Sequence, residues 1–325
     1  MQTLQTHLSF IFILFLFINS NNSFSKNSKE PISSKIYVSD IQNFYNALDL
    51  ALNDTLNATS IFKENYFDKG SKGLKDFYKS KIYSADKFSR FVLQHKEFYL
   101  SIRKDITDVD DLKEKIQTYF QEFKTIYPDA TFPDIYFVVG RFSSNGTISK
   151  NGIIIGTEIL CRTPTSNTEN WNKDILRISM LREHIPVTVC HELIHFNQKK
   201  MKKENTILAS SLREGSAEFI AELICGNTDG DYTSFAGKEE YIWSEFDNCK
   251  DNKSTWNSWR AWVKQSETRP RNSGYWTGYI LCKSYYEQKN FDKKKVVYDI
   301  LNIRSYNDFY IDCKIDQYIK NNYSK

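Results

Sequence analysis

The sequence lacks the features of a cysteine-based metal protein and of a nucleic-acid-binding protein. Its six cysteines include no CxxC pair, so a structural zinc site built from cysteines is not expected. Basic and acidic residues nearly balance, at 44 against 40, and a net charge of +4 argues against a nucleic-acid partner. The lysine run at 293–295 is most simply a solvated patch. No internal repeat is visible.

Long apolar runs are also absent, except near the N-terminus. Residues 8–18 are Leu, Phe and Ile broken only by Ser9, which is too short to span a bilayer comfortably, and a polar Asn/Ser stretch follows. This pattern predicts a signal peptide over residues 1–25 and export to the periplasm, the cell surface or the medium. The segment has no Lys or Arg, which leaves an uncleaved N-terminal membrane anchor open, and no Cys, which excludes a lipid anchor.

The cysteines are spread widely along the chain. Export permits disulfides, and a bond between Cys225 and Cys249 would close a loop of plausible length. Cys190 is better explained as a buried thiol, and the sequence does not fix the connectivity. The six positions are Cys161, Cys190, Cys225, Cys249, Cys282 and Cys313.

Histidine is scarce, with five in the chain, yet two of them stand in His191-Glu192-Leu193-Ile194-His195. Pro186 and the surrounding apolar residues predict a helix over Val187–Gln198. Residues four apart share a helix face, so His191 and His195 can hold one Zn²⁺ per chain, with Glu192 placed as a base. The alternative is a helix whose two histidines only fill space or face water.

A second segment supplies further carboxylates. Glu214 follows His195 after eighteen residues, in a stretch from 212 to 223 with helical periodicity. Glu214 and Glu218 share a face and would repel each other unless a cation or a histidine N–H satisfies them. Gly215 is small and would let this helix approach the histidine helix closely. A catalytic zinc needs a third protein ligand. Alone, the segment is best interpreted as an ordinary acidic helix, but following HELIH at this distance that interpretation is no longer favoured.

This pattern, in which HExxH is followed after eighteen residues by Glu, resembles that of the gluzincin metallopeptidases, the thermolysin and aminopeptidase type. The resemblance implies that His191, His195 and Glu214 bind zinc, that Glu192 is the catalytic base, and that Glu218 orients the first histidine. Residues from about 130 to 310 are also similar to a bacterial envelope family described as zinc-dependent proteases of unknown function. That similarity is carried by residues 136–140, 152–158, 191–195, 214–218 and 274–279.

The predicted fold class is α+β and zincin-like, with a small mixed sheet over the HELIH helix. Residues 26–128 form a mainly helical region, and residues 129–325 form the zincin-like domain with further C-terminal helices. Apolar runs at 135–139 and 152–156 predict two strands, and Asn145-Gly146 between them predicts the turn of a hairpin. Glu158, after the second strand, faces either the cleft or the solvent.

Aromatic residues mark the C-terminal part. Trp256, Trp259 and Trp262 recur every three residues, which favours a packed helix face over a carbohydrate platform. Tyr275 and Tyr279 would share a helix face. A phenol beside the zinc could stabilise an oxyanion, so both are candidate catalytic residues, with core packing as the alternative.

These features predict an exported zinc peptidase that cleaves peptide or protein substrates with a zinc-activated water and Glu192 as general base. One alternative is a non-catalytic zinc-binding envelope scaffold or binding protein, against which the intact Glu192 counts. A zinc hydrolase acting on a non-peptide ester or amide is the other. The oligomeric state and the substrate are not set by the sequence.

Overall fold

The computed structural model describes residues 28–168, 171, 173–228, 230–255 and 269–323. The predicted signal segment at residues 1–25 and the residues Trp256, Trp259 and Trp262 lie outside this part of the chain. No helix within the described ranges is both long and apolar enough to cross a membrane.

Helices fill the region before residue 128, as its periodic apolar residues predict. Phe44 and Leu48 on the first helix are fully buried, and Ile116 on the last is 1% exposed. Two π-helical turns, Lys63–Phe67 and Tyr78–Ile82, extend the second and third helices. The helices are α1 (Ser39–Asn53), α2 (Ala58–Phe62), α3 (Lys72–Phe77), α4 (Ala85–Gln94), α5 (Lys96–Ser101), α6 (Arg103–Thr107) and α7 (Asp110–Ile126).

The second half is also helical, apart from the sheet. Short 3-10 turns occur along the chain at Pro31–Ser33, Thr55–Asn57, Arg182–His184, Gln198–Lys200 and Thr233–Phe235. The later helices are α8 (Thr157–Leu160), α9 (Lys173–Ile178), α10 (Ile185–Asn197), α11 (Ile207–Cys225), α12 (Glu239–Cys249), α13 (Ser273–Gln288), α14 (Lys293–Leu301), α15 (Tyr306–Cys313) and α16 (Ile315–Asn322).

A four-stranded mixed sheet lies among these helices. Its order is β1-β2-β4-β3, where β1, β2 and β4 run parallel and β3 is antiparallel to β4. Every residue of β2 and β4 is buried, because α1 and α3 pack on β2 while α10 packs on β3 and β4. This architecture confirms the α+β class. The strands are β1 (Ile36–Tyr37), β2 (Ile135–Val138), β3 (Gly146–Ser149) and β4 (Gly152–Gly156).

One hydrophobic core runs through the described chain. It includes Phe44 from α1, Ile154 from the sheet, Leu193 from α10 and Ile319 from α16. The first strand of the sheet also comes from the N-terminal region. A division of the chain near residue 128 stays a prediction.

The predicted hairpin between the two buried strands is wrong. β2 and β4 are parallel neighbours, and the hairpin joins β3 to β4 through residues 150–151 instead. Asn145-Gly146 lies before it, where the Asn145 side-chain oxygen accepts the Gly146 N–H. The tight step into β4 falls at Gly152, whose φ of 145° is a conformation that residues with a side chain rarely adopt. β3 escaped prediction because it is short and polar.

The disulfide between Cys225 and Cys249 does not form, since all six cysteines are free thiols. Cys225 ends α11, whereas Cys249 ends α12 beside the start of α11, where the Lys250 carbonyl accepts the Leu208 N–H at 2.8 Å. The length of α11 therefore separates the two thiols by about 25 Å. Disulfides need Cα atoms within roughly 7 Å. Cys190 is buried, as predicted.

Glu158 faces neither a cleft nor the solvent. The side chain is fully buried, and its carboxylate accepts the N–H groups of Gly140 at 2.7 Å and Phe142 at 2.9 Å. Burial raises the pKa of Glu158 to about 7, although these hydrogen bonds lower it. The carboxylate thereby fixes the loop between β2 and β3.

This buried carboxyl predicts a pH-dependent stability. Between pH 4.5 and about 7 the unfolded chain loses the Glu158 proton while the folded chain keeps it. The free energy of unfolding should therefore fall as the pH rises, by up to roughly 3 kcal/mol from this group. Denaturant unfolding at pH values across that range should show a flatter dependence in Glu158→Gln. Glu64→Gln, an exposed control, should keep the wild-type dependence; equal slopes in all three proteins would contradict the assignment.

Candidate metal centre

Both histidines of the HELIH sequence lie on α10, a helix at the centre of the protein. The helix has Pro186 in its first turn and is buried on nearly all sides, against the sheet, α7 and α11. A helix that is apolar all round is expected to be a core helix. His191 and His195 project from one face, with ring centroids 4.7 Å apart. The predicted helix is therefore confirmed, with one or two residues of difference at its ends.

The facing helix, α11, carries the carboxylates. Thr206 caps its first turn by accepting the Ala209 N–H, and Gly226 ends it in the left-handed conformation with φ of 79°. Glu214 and Glu218 stand one turn apart on the side toward α10 and are nearly buried, with side-chain exposures of 14% and 5%. α11 thus brings both predicted carboxylates to the histidines.

Gly215 does not face the histidine helix, contrary to the prediction. A Cβ at Gly215 would lie 2.1 Å from the Gly278 carbonyl carbon of α13, and a Cβ at Gly278 would lie 1.8 Å from the Ser211 carbonyl oxygen. The two glycines therefore let the backbones of α11 and α13 touch. This crossing holds α11 against α13.

The side chains of His191, His195 and Glu214 converge on one point. The Nε2 atoms of the two histidines are 3.0 Å apart, and Glu214 Oε2 lies 3.1 Å from His195 Nε2 and 3.9 Å from His191 Nε2. These three residues form the group of His, Cys, Asp and Glu side chains within the described ranges that could hold a metal ion. Two core helices contribute to it.

Gln198 sets the tautomer of His195. Its Nε2 amide donates to the Arg213 carbonyl at 2.7 Å and to Ser216 Oγ at 3.0 Å, so its oxygen is the atom that faces His195 Nδ1 at 2.9 Å. That oxygen can only accept, so His195 carries its hydrogen on Nδ1 and its lone pair on Nε2. Sequence reasoning missed Gln198, although it lies three residues after His195, on the adjoining turn.

Glu218 lies beside His191 Nδ1, as Gln198 lies beside His195 Nδ1. Its Oε1 lies 3.4 Å from His191 Nδ1, and its Oε2 accepts the Gly230 N–H at 3.1 Å. Burial lowers the pKa of His191, but Glu218, Glu192 and Glu214 outweigh burial and raise this pKa to about 10. Burial likewise raises the pKa of Glu214, but the two histidines and Tyr275 lower it to about 2. The surrounding carboxylates therefore favour positive charge at this point.

The donor set fits a divalent cation. When both histidines are neutral and their Nδ1 hydrogens are directed at Gln198 and Glu218, the two Nε2 lone pairs and a Glu214 oxygen face one point. Three acceptors in contact are unfavourable unless a positive charge lies among them. Ligand atoms about 2.0–2.1 Å from a tetrahedral zinc are roughly 3.3 Å from one another, close to the separations of these atoms.

Glu192 lies beside this group but outside it. Glu192 is 8% exposed. Burial raises the pKa of its carboxyl, and the opposing effect of the two histidines is smaller. A Cβ at Gly146, the first residue of β3, would lie 2.7 Å from Glu192 Oε1, so a side chain at this position would displace the carboxyl. The Glu192 side chain therefore lies against β3.

Tyr275 and Tyr279, which were predicted to share a helix face at the site, have different partners. Tyr275 stacks near His191, with centroids 6.3 Å apart, and its hydroxyl hydrogen-bonds Glu214. The Tyr279 hydroxyl instead donates to Glu222 at 2.8 Å and accepts from Lys283 at 3.0 Å. Tyr275 therefore belongs to the metal-site surroundings, and Tyr279 belongs to a polar cluster one turn farther along.

The two carboxylates should differ in their effect on metal binding. Glu214→Ala should abolish zinc binding, because it removes a ligand atom, while Glu218→Ala should weaken it by roughly 10–100-fold by releasing the His191 ring. Competition with a fluorescent zinc chelator measures both. Glu222→Ala, one turn farther on α11, should leave the affinity unchanged. A greater loss in Glu218→Ala than in Glu214→Ala would reverse the two roles.

Fold and site together define an α+β protein with a buried candidate metal centre between two core helices. The model of the family described as gliding motility protein GldB matches residues 22–314, and the chain belongs to this family. Comparison with curated proteins and with solved structures gives no match. The family label also names a lipoprotein, an envelope-associated class compatible with the predicted export, although no cysteine precedes Cys161 in this sequence.

This match corrects the predicted family and activity. The assignment to the gluzincin metallopeptidases is wrong, because the matching family is one of gliding motility proteins and not of zinc metallopeptidases. The predicted peptidase function, and with it the classification as an enzyme, a hydrolase and a metalloprotease, is wrong on the same ground. The HELIH residues are present at 191–195. Two histidines four residues apart on a helix can bind a cation, but this geometry alone does not specify a chemical reaction.

Proposed function

We propose that this protein is a non-catalytic, zinc-binding scaffold of the cell envelope that serves gliding motility. The observation that carries the proposal is the meeting of His191 Nε2, His195 Nε2 and Glu214 Oε2 at one point. These atoms would hold one zinc ion per chain. The ion would supply positive charge among these three nearly buried side chains.

A cation at this point would join the two halves of the fold. α10 packs against the sheet, whereas α11 packs along α13 and so against the C-terminal helices. Zinc bound by both helices would fix their separation and register. A structural role of this kind needs no substrate, and it agrees with a family described by motility rather than by a reaction.

Finer features of the fold and location belong to the same proposal. The packing of α10 against β3 and β4 supports a zincin-like arrangement. The apolar segment at residues 8–18 supports export, with anchoring by that segment if it is not cleaved. The partners of such a scaffold would be other envelope proteins, since a net charge of +4 does not favour nucleic acid.

Zinc content and thermal stability test the proposal. The purified protein should contain about one zinc ion per chain, and a chelator should lower its unfolding temperature. Zinc at a hundred times its dissociation constant contributes about 2.7 kcal/mol. For a chain of this size, that free energy corresponds to roughly 4 °C. Absence of zinc from the protein, together with no shift on adding it, would overturn the proposal.

A further inference from the structure

We propose that the surface around the turn between α13 and α14 binds an anionic phospholipid membrane. This basic surface consists of Phe291, Lys293, Lys294 and Lys295, with Tyr298 beside them. It lies apart from the metal centre and does not depend on the zinc proposal. Four features of the described chain point to a lipid surface as its partner.

The turn presents an aromatic side chain to the solvent at a conformational cost. Asn290 and Phe291 adopt φ of 53° and 60°, the left-handed region that costs most residues roughly 1 kcal/mol or more. Phe291 is 61% exposed, and Tyr298 on the next helix is 53% exposed. An exposed aromatic at the tip of a tight turn is suited to entering the interfacial region of a bilayer.

Three lysines stand where the helix itself disfavours them. Lys293, Lys294 and Lys295 occupy the first turn of α14, at the positive end of the helix dipole, and all three are exposed. Among the described residues, only Lys295 has a carboxylate partner, Asp299 at 3.0 Å. Asp292, the exposed N-cap residue of α14, offsets part of this charge, and residues 292–295 keep a net charge of +2. An anionic surface would balance the remainder.

A second group of lysines continues the basic surface. α14 packs against the 3-10 turn Gln198–Lys200, and the Lys202 N–H donates to the Ile303 carbonyl just beyond α14. The lysines at 199, 200, 202 and 203 are all exposed and lie near the other end of this helix, about 13 Å away. Lys200 is paired with Asp129 and Lys202 with Glu204, so the added positive charge near this end of α14 comes chiefly from Lys199 and Lys203.

The chain also enters the described fold near this region. Lys200 pairs with Asp129 at 3.4 Å, and close by, the Phe132 N–H donates to the carbonyl of Ser28, the first described residue. The apolar run at residues 8–18 precedes Ser28 by about ten residues in the sequence. A membrane attached through that run would lie within reach of the basic surface.

Vesicle binding of the full chain tests this inference. Residues 1–25 contain no Asp, Glu, Lys or Arg, so the apolar segment should bind neutral and anionic vesicles alike. The wild type should bind phosphatidylcholine vesicles more tightly when they contain phosphatidylglycerol, and added salt should remove the difference. Combined replacement of Lys293, Lys294 and Lys295 by Gln should weaken anionic binding by roughly 10–100-fold and leave neutral binding unchanged.

Matched variants separate this surface from net charge. Lys79→Gln, Lys87→Gln and Lys96→Gln together change the charge equally, at exposed positions on the N-terminal helices, and should retain anionic binding. Phe291→Ala should also weaken binding to the anionic vesicles relative to the wild type. Tyr83→Ala should not, although Tyr83 is 67% exposed and also has a positive φ, of 64°.

Two results would overturn the inference. Wild-type binding that is equal on neutral and anionic vesicles would exclude anionic lipid as the partner and leave an acidic protein. Equal losses in the two triple variants would assign the effect to net charge alone. Zinc content should be unchanged in every variant, so failure of the membrane inference and failure of the zinc proposal are distinguishable.

Discussion

His195→Ala should reduce bound zinc from about one ion per chain to none, and His191→Ala should do the same. Each variant removes one of only three converging ligands, a larger loss than the roughly 10–100-fold that an outer partner costs. Each variant also leaves Glu214 with fewer partners for its carboxylate. Burial raises the pKa of Glu214, but the two histidines and Tyr275 lower it to about 2, so this carboxylate is charged. Breaking such a pair costs about 3–5 kcal/mol of stability.

Metal analysis after dialysis and thermal unfolding with and without zinc measure both effects. His184→Ala, on the 3-10 turn just before α10, makes the same substitution outside the converging group and should retain zinc. Full zinc occupancy in either His191→Ala or His195→Ala would refute the ligand assignment.

Gly278→Ala should destabilise the protein by about 3 kcal/mol, the upper end of the usual cost of overpacking. The new Cβ would lie 1.8 Å from the Ser211 carbonyl oxygen, and a backbone atom cannot move aside as a flexible side chain can. α11 and α13 must therefore separate. Because Glu214 is next to Gly215 at this crossing, zinc affinity should fall as well.

Gly226→Ala is the matched control for this change. Gly226 ends α11 with φ of 79° and has open space where a Cβ would lie. Its replacement should cost only about 1 kcal/mol, from backbone conformation, and should not affect zinc. Denaturant unfolding and zinc competition compare the two variants. Equal stability of Gly278→Ala and the wild type would show that the helices do not need this close contact.

Features that depend on local spacing could be predicted from the sequence. His191 and His195 share a face because four residues make about one helical turn, and Glu214 and Glu218 share a face for the same reason. The capping and apolar patterns around α10 likewise gave its bounds to within one or two residues. These relations need no knowledge of the rest of the chain.

Features that depend on distant pairing could not be predicted. The parallel pairing of β2 with β4, and the pairing of Ile36–Tyr37 with β2, join segments whose sequences say nothing of their partners. Gly215 meets α13 rather than α10 because a small residue marks a close contact without naming the neighbour. The role of Gln198 could not be predicted because it depends on the partners of both the amide oxygen and the amide nitrogen, which only the structure shows.

Function could not be predicted from the motif for a related reason. HELIH and Glu214 describe where a cation could bind, and peptidases are one class of protein that uses that geometry. The family match over residues 22–314 instead assigns the chain to the gliding motility proteins. A cation bound by these three side chains would hold α10 and α11 together whether or not it also activates water.

Gliding of cells that carry Glu192→Gln tests the central claim most directly. Glu192 lies beside the three converging residues without belonging to them, so this variant should keep its zinc and its fold. If the protein is a scaffold, cells that depend on Glu192→Gln should glide like the wild type, while cells that depend on His195→Ala should not. Loss of gliding in Glu192→Gln with full zinc content would contradict the non-catalytic role.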